Sequence, residues 1–122
     1  MDKLKKILVV EDDINLLQLI TQTLAQKYEV FQAVNGDQAI EETQTKNPDL
    51  VLLDIMLPGK DGIEVCRRIK GHPDTKNIKI VMLTAQKNTL VKSAGLAAGA
   101  DLFINKPFNM SDLAKNIEEL IG

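Results

Sequence analysis

The sequence predicts one α/β domain, a doubly wound three-layer sandwich whose five-stranded parallel sheet is flanked by five helices. Three observations predict it. Five strand-length runs rich in Val, Ile, Leu or Phe recur along the chain, at residues 7–10, 29–34, 50–53, 80–83 and 102–104. Four of the five are apolar on consecutive residues rather than alternating, as strands are when helices cover both faces of a sheet. The stretches between them carry apolar residues at helical spacing, and strand alternating with helix five times over implies right-handed crossovers.

Each element has its own signal. Ile7 to Val10 form the first strand, and Ile14, Leu17, Ile20 and Leu24 stripe the helix that follows. The run at 29–34 is more mixed, which places it at an edge of the sheet. After the third run, Ile63, Cys66 and Ile69 mark a shorter helix, and after the fourth, Val91, Ala94, Leu96 and Ala98 mark another. The last helix is the clearest: Met110, Leu113, Ala114, Ile117, Leu120 and Ile121 follow i, i+3, i+4, i+7, with Asn109 able to cap it and Asp112 in its first turn. Pro48, Pro58 and Pro73 fall between elements, where a missing N–H is tolerated, and Gly36, Gly59, Gly62, Gly71 and Gly99 mark turns or helix ends.

A chain of 122 residues holds one sizeable core, so residues 1–122 read as a single domain, either a whole small protein or one excised from a longer chain. A content of 44% hydrophobic and 26% charged residues is that of an ordinary globular protein and excludes disordered and collagen-like classes. Fifteen Lys and Arg against seventeen Asp and Glu leave a net charge of −2, so a basic nucleic-acid footprint is absent. Cys66 is the only cysteine and cannot form an internal disulfide. No apolar stretch approaches the roughly eighteen residues of a membrane span, and the expectation is a soluble, cytoplasmic protein.

In open α/β sheets ligands bind outside the carboxyl ends of the strands. Here those ends read Glu11-Asp12-Asp13, Asp54, Thr84 and Asn105-Lys106-Pro107. Carboxylates about 5 Å apart repel by roughly 3 kcal/mol per pair at an effective dielectric near 20, so such a cluster needs a cation or a proton. A few carboxylates with open positions suit Mg²⁺ (or Mn²⁺), which keeps waters and takes further ligands from phosphate. Lys106 adds an ammonium and Thr84 a hydroxyl, completing a set of groups for phosphate oxygens.

On these residues the chain resembles the response-regulator receiver domains of bacterial two-component signalling. The likeness is carried by Ile-Leu-Val-Val-Glu-Asp-Asp at 7–13, Asp-Ile-Met-Leu-Pro-Gly-Lys-Asp-Gly at 54–62, Leu-Thr-Ala at 83–85, Gly-Ala-Asp at 99–101 and Asn-Lys-Pro-Phe at 105–108. Each motif alone is weak; five in order and at the right strand ends are specific, and together they span essentially the whole chain. The resemblance implies the strand order 2-1-3-4-5 of the flavodoxin-like fold.

It also implies roles. Asp54 would accept a phosphoryl group from a phosphohistidine on a sensor histidine kinase or phosphotransfer protein, so the chain would catalyse its own phosphorylation without being a classical enzyme. Glu11, Asp12, Asp54 and the backbone carbonyl of Met56 would hold Mg²⁺, and Lys106, with a cis bond to Pro107, would pair with the phosphoryl group. Thr84 would swing toward a phosphoryl oxygen, Phe103 would fill the vacated space, and the face of helix four, strand five and helix five would change for an output protein or domain. Phe103 has no phenolic hydroxyl, so packing alone would select its position. Met56 and Gln86, two residues beyond the acceptor and the threonine, would tune the lifetime, and a thioether with a neutral amide implies slow loss of phosphate. A phosphorylation-dependent homodimer is one arrangement known in the DNA-binding branch of the family. Lys92 and Asp112 could form one of its charged pairs, but Leu102 and Asn116 stand where that branch usually carries Asp and Arg.

Other functions fit less well. Aspartyl phosphatases on α/β sheets place the nucleophile at the end of the first strand with a second Asp two residues on, whereas Asp54 ends the third and Met56 follows at that distance. A nucleotide carrier needs a glycine-rich turn after strand one, where this chain has Glu-Asp-Asp. The remaining alternative is a phosphorylation-independent pseudo-receiver that only binds other proteins, and retention of all five chemical positions argues against it. His72, without a second His or a Cys beside it, is not expected to bind metal.

Overall fold

The computed structural model describes residues 3–85 and 89–122. Strands and helices alternate along the chain: β1 (Lys6–Val10), α1 (Ile14–Leu24), β2 (Glu29–Ala33), α2 (Gly36–Lys46), β3 (Leu50–Asp54), α3 (Gly62–Gly71), β4 (Lys79–Thr84), α4 (Thr89–Ala98), β5 (Leu102–Asn105) and α5 (Met110–Ile121). The strands pair in parallel in the order β2-β1-β3-β4-β5, which is the expected topology, with the mixed strand at an edge. In register, Val10 stands beside Leu53, Asp54 beside Leu83 and Thr84 beside Asn105, so polar residues close adjacent strands along one rim.

Side-chain alternation divides the core between the two faces. Leu8, Val51, Ile80 and Met82 pack with Val65, Cys66 and Ile69 of α3 and Ala98 of α4, together with Ala39 of α2. On the other face Ile7, Leu50, Leu52 and Leu83 pack with Leu17, Ile20 and Leu24 of α1 and Leu113 and Ile117 of α5. The central strands are sealed on both sides, which is why they read as unbroken apolar runs, and each such side chain contributes on the order of 1.5–3 kcal/mol. Cys66 belongs to this core, and burial pushes its thiol up to about 11.

The helices begin where a short polar side chain can cap them. Asp13 accepts from the backbone N–H of Asn15 and Leu16, Asn35 from Gln38, Asp61 from Glu64, and Asn109 from Ser111 and Asp112. Two stripe residues depart from expectation. Ile14 heads α1 beyond the cover of the sheet and is exposed. Leu96 also points to solvent, because the buried line of α4 runs through Gly95 and Ala98 and Leu96 lies about 100° away from Gly95. Among the described residues no helix is long and apolar enough to cross a membrane.

Candidate phosphoacceptor and metal site

The rim at the carboxyl ends of β1, β3, β4 and β5 gathers the groups the sequence singled out. Glu11, immediately after β1, is 1% exposed, and Asp54, the last residue of β3, is 5% exposed. One oxygen each of Glu11, Asp12 and Asp54 lie within 4.8 Å of one another. Lys106 follows β5 and reaches back across the rim, its Nζ 2.8 Å from Glu11 Oε1 and 2.8 Å from Asp54 Oδ2. Its backbone N–H donates to the carbonyl of Thr84 at 2.8 Å, and the Lys106–Pro107 bond is cis.

The other two carboxylate oxygens are met by backbone. The Asp13 N–H donates to Glu11 Oε2 at 3.1 Å, and the Met56 N–H donates to Asp54 Oδ1 at 3.0 Å. Both buried acids are thereby held in one orientation by four donors, two from the chain and two from one ammonium. Burial, with the charge of Asp54 adding to it, holds the Glu11 carboxyl above the usual range against the opposing effect of Lys106 and the Asp13 N–H. At Lys106 burial works against the charge, but the hydrogen bonds to Asp54 and Glu11 prevail and its pKa rises.

Three acids against one amine leave an excess of negative charge at the rim, and all three present oxygen. That donor set fits a hard divalent cation, with Glu11, Asp12 and Asp54 as its protein ligands. Thr84 closes β4 beside this group and is 1% exposed. Met56 projects outward at 60% exposure. Phe103 is half-buried on β5, on the face of the sheet covered by α4, and Gln86 lies outside the described residues.

Two glycines contribute what the motifs did not reveal. A Cβ on Gly62 would overlap the carbonyl oxygen of Asp54 and lie 2.7 Å from the Ile55 Cα, so the start of α3 rests directly on the backbone of the candidate acceptor. Gly95 lies inside α4 against the Phe103 ring; the available signal was a glycine in the middle of an apolar helical stripe. His72 is remote from the rim, its Nδ1 accepting from the Asp74 N–H at 3.1 Å.

A parallel five-stranded sheet with its acids, hydroxyl and lysine on one rim defines a class, and the comparisons agree: the response regulator receiver domain family matches residues 7–118, and the chain belongs to it. It is therefore a receiver domain of the two-component response regulators. Among particular proteins, it is 41% identical over 119 residues to the phosphate regulon transcriptional regulatory protein PhoB of Rhizobium meliloti (strain 1021), covering 97% of this chain and 52% of that protein. The chain thus spans about half the length of that relative. The fold superposes on the chemotaxis response regulator CheY4 of Vibrio cholerae with a TM-score of 0.92 at 30% identity, covering 98% of this chain and 100% of that one. For the CheY-like receiver domain protein of Methanospirillum hungatei JF-1 the TM-score is 0.91 at 32% identity, over 96% of this chain and 93% of the other.

Proposed function

We propose that this receiver domain takes a phosphoryl group from a histidine kinase or phosphotransfer protein onto Asp54. The observation that carries the reading is the single ammonium of Lys106 held between two buried carboxylates of different strands, beside a third acid. An Asp54 oxygen attacks phosphorus, the bond from phosphorus to the donor histidine nitrogen breaks, and an acyl phosphate results. The Met56 N–H keeps the carboxylate aimed during attack. Lys106 is already at hydrogen-bond distance from Asp54 and follows the added charge outward, and the Thr84 hydroxyl takes a second phosphoryl oxygen. Glu11, Asp12, Asp54 and the Met56 carbonyl would hold Mg²⁺, which when bound offsets the charge of the transferring group.

Because Asp54 is nearly covered, a donor must seat itself against the rim. A cavity of about 420 Å³ lined by Leu16, Leu19, Pro107, Phe108 and Met110 opens beside Lys106, and Leu19 is itself exposed, giving a donor protein an apolar foothold. Downstream, movement of Thr84 and Phe103 alters the face of α4, β5 and α5 for an output protein or domain, and Met56 with Gln86 slows loss of the phosphate. The free, buried Cys66 accords with a cytoplasmic site of action for this one domain.

The test is incubation with Mg²⁺ and acetyl phosphate followed by intact mass. A receiver gains one phosphoryl group with the metal present and none when the metal is chelated before the donor is added. A chain that gains none under either condition is a protein-binding pseudo-receiver.

A further inference from the structure

We propose that Gly95 is a positioning residue of the switch: it is the seat that holds the Phe103 ring in the resting protein. The inference rests on the reading of Thr84 and Phe103 given above and adds the partner that reading lacks. Phe103 stands opposite Met82 in the β4–β5 register, and both point to the face covered by α4. A Cβ on Gly95 would overlap the ring at Cζ, lie 2.9 Å from Cε1 and come 3.3 Å from the Met82 Sδ. Such separations are inside ordinary van der Waals contact, so the ring occupies the volume that any other residue at 95 would fill.

Glycine is otherwise a poor choice here. Gly95 is in the interior of a helix of ten residues, where it is the least favourable residue after proline, and no turn requires it, since its φ is not positive. The ring explains it. β5 is an edge strand, Phe103 packs on the face where Gly95 of α4 meets its ring, and Thr84 lies two residues beyond Met82 on the neighbouring strand. A ring leaving the seat therefore has the threonine's side of the same face to move into, and α4 loses the contact that Gly95 makes with it. Leu90 and Leu96, on the outer surface of α4, are 76% and 59% exposed and lie within about one and a half turns of Gly95, so the seat sits directly beneath the surface an output partner would read.

The experiment is a double-mutant cycle with two readouts. Gly95→Ala should lower the melting temperature of the parent, despite the better helix propensity of alanine, and raise it in a Phe103→Leu background where the ring is gone. A shift of the same sign in both backgrounds overturns the seat. Gly95→Ala should also speed labelling by acetyl phosphate severalfold, because the ring is driven off its resting position, and should not do so when Phe103 is leucine. Equal labelling rates with and without Gly95→Ala overturn the link to the switch. If the parent accepts no phosphoryl group, the phosphorylation reading fails while the melting cycle still decides the seat.

Discussion

The Lys106 Nζ stands 2.8 Å from Asp54 Oδ2 and equally close to Glu11 Oε1, bridging residues 52 and 95 positions away in sequence. Removing the ammonium leaves two buried carboxylates facing each other without it. Lys106→Met should therefore cost roughly 3 kcal/mol of stability, the lower end expected for breaking a buried pair because the side chain keeps 22% exposure. Denaturant unfolding of the two proteins measures this, and an unchanged midpoint would show the bridge to be incidental.

Gly62 lets α3 begin on the Asp54 backbone. Gly62→Ala should lose about 1–3 kcal/mol through overpacking and slow labelling by acetyl phosphate, since the clash is with main chain that cannot yield cheaply. Gly71→Ala is the control: with open space around it, that change should be neutral or gain up to about 1 kcal/mol. Equal melting temperatures for the two variants would contradict the packing argument.

Met56 is exposed beside the candidate acceptor, and its thioether offers water no effective hydrogen bond. Met56→Asn supplies an amide that can orient an attacking water and should speed loss of phosphate severalfold. Timing the decay of the labelled proteins after donor removal checks it, and identical half-lives would remove Met56 from the account.

Tyr28 is buried between the sheet and the layer of α1 and α5, and among the described residues its hydroxyl has no hydrogen-bond partner. A buried donor left unmade costs about 1–3 kcal/mol, so Tyr28→Phe should hold or raise the melting temperature. A clear loss of stability would show that the hydroxyl is satisfied in solution.

The sequence made the sheet legible because its three inner strands are covered on both faces, leaving no ambiguity of period at Ile7 to Val10, Leu50 to Leu53 or Ile80 to Leu83. Asp54, Thr84 and Asn105 proved to be the last residues of their strands, one residue further than the apolar runs reach, because backbone pairing continues after the side chains turn polar. Helix α2 announced itself only through the alternation of elements: it covers the edge beside β2 with Gly36, Ala39 and Thr43, too small and polar to form a stripe. The polar rim could be listed from strand ends, but two features could not. That Lys106 bridges both acids depends on the path of the chain after β5, and that Gly62 and Gly95 are contact points depends on what lies opposite them.

The central claim is that Asp54 is loaded reversibly with phosphate, and locating the adduct tests it most directly. The protein is treated with Mg²⁺ and acetyl phosphate, the acyl phosphate is trapped by borohydride reduction, and the modified residue is read by peptide mass spectrometry. The account predicts reduction at residue 54 alone, and none in Asp54→Asn. Modification at another carboxylate, or an Asp54→Asn protein that gains phosphate as fully as the parent, would contradict it.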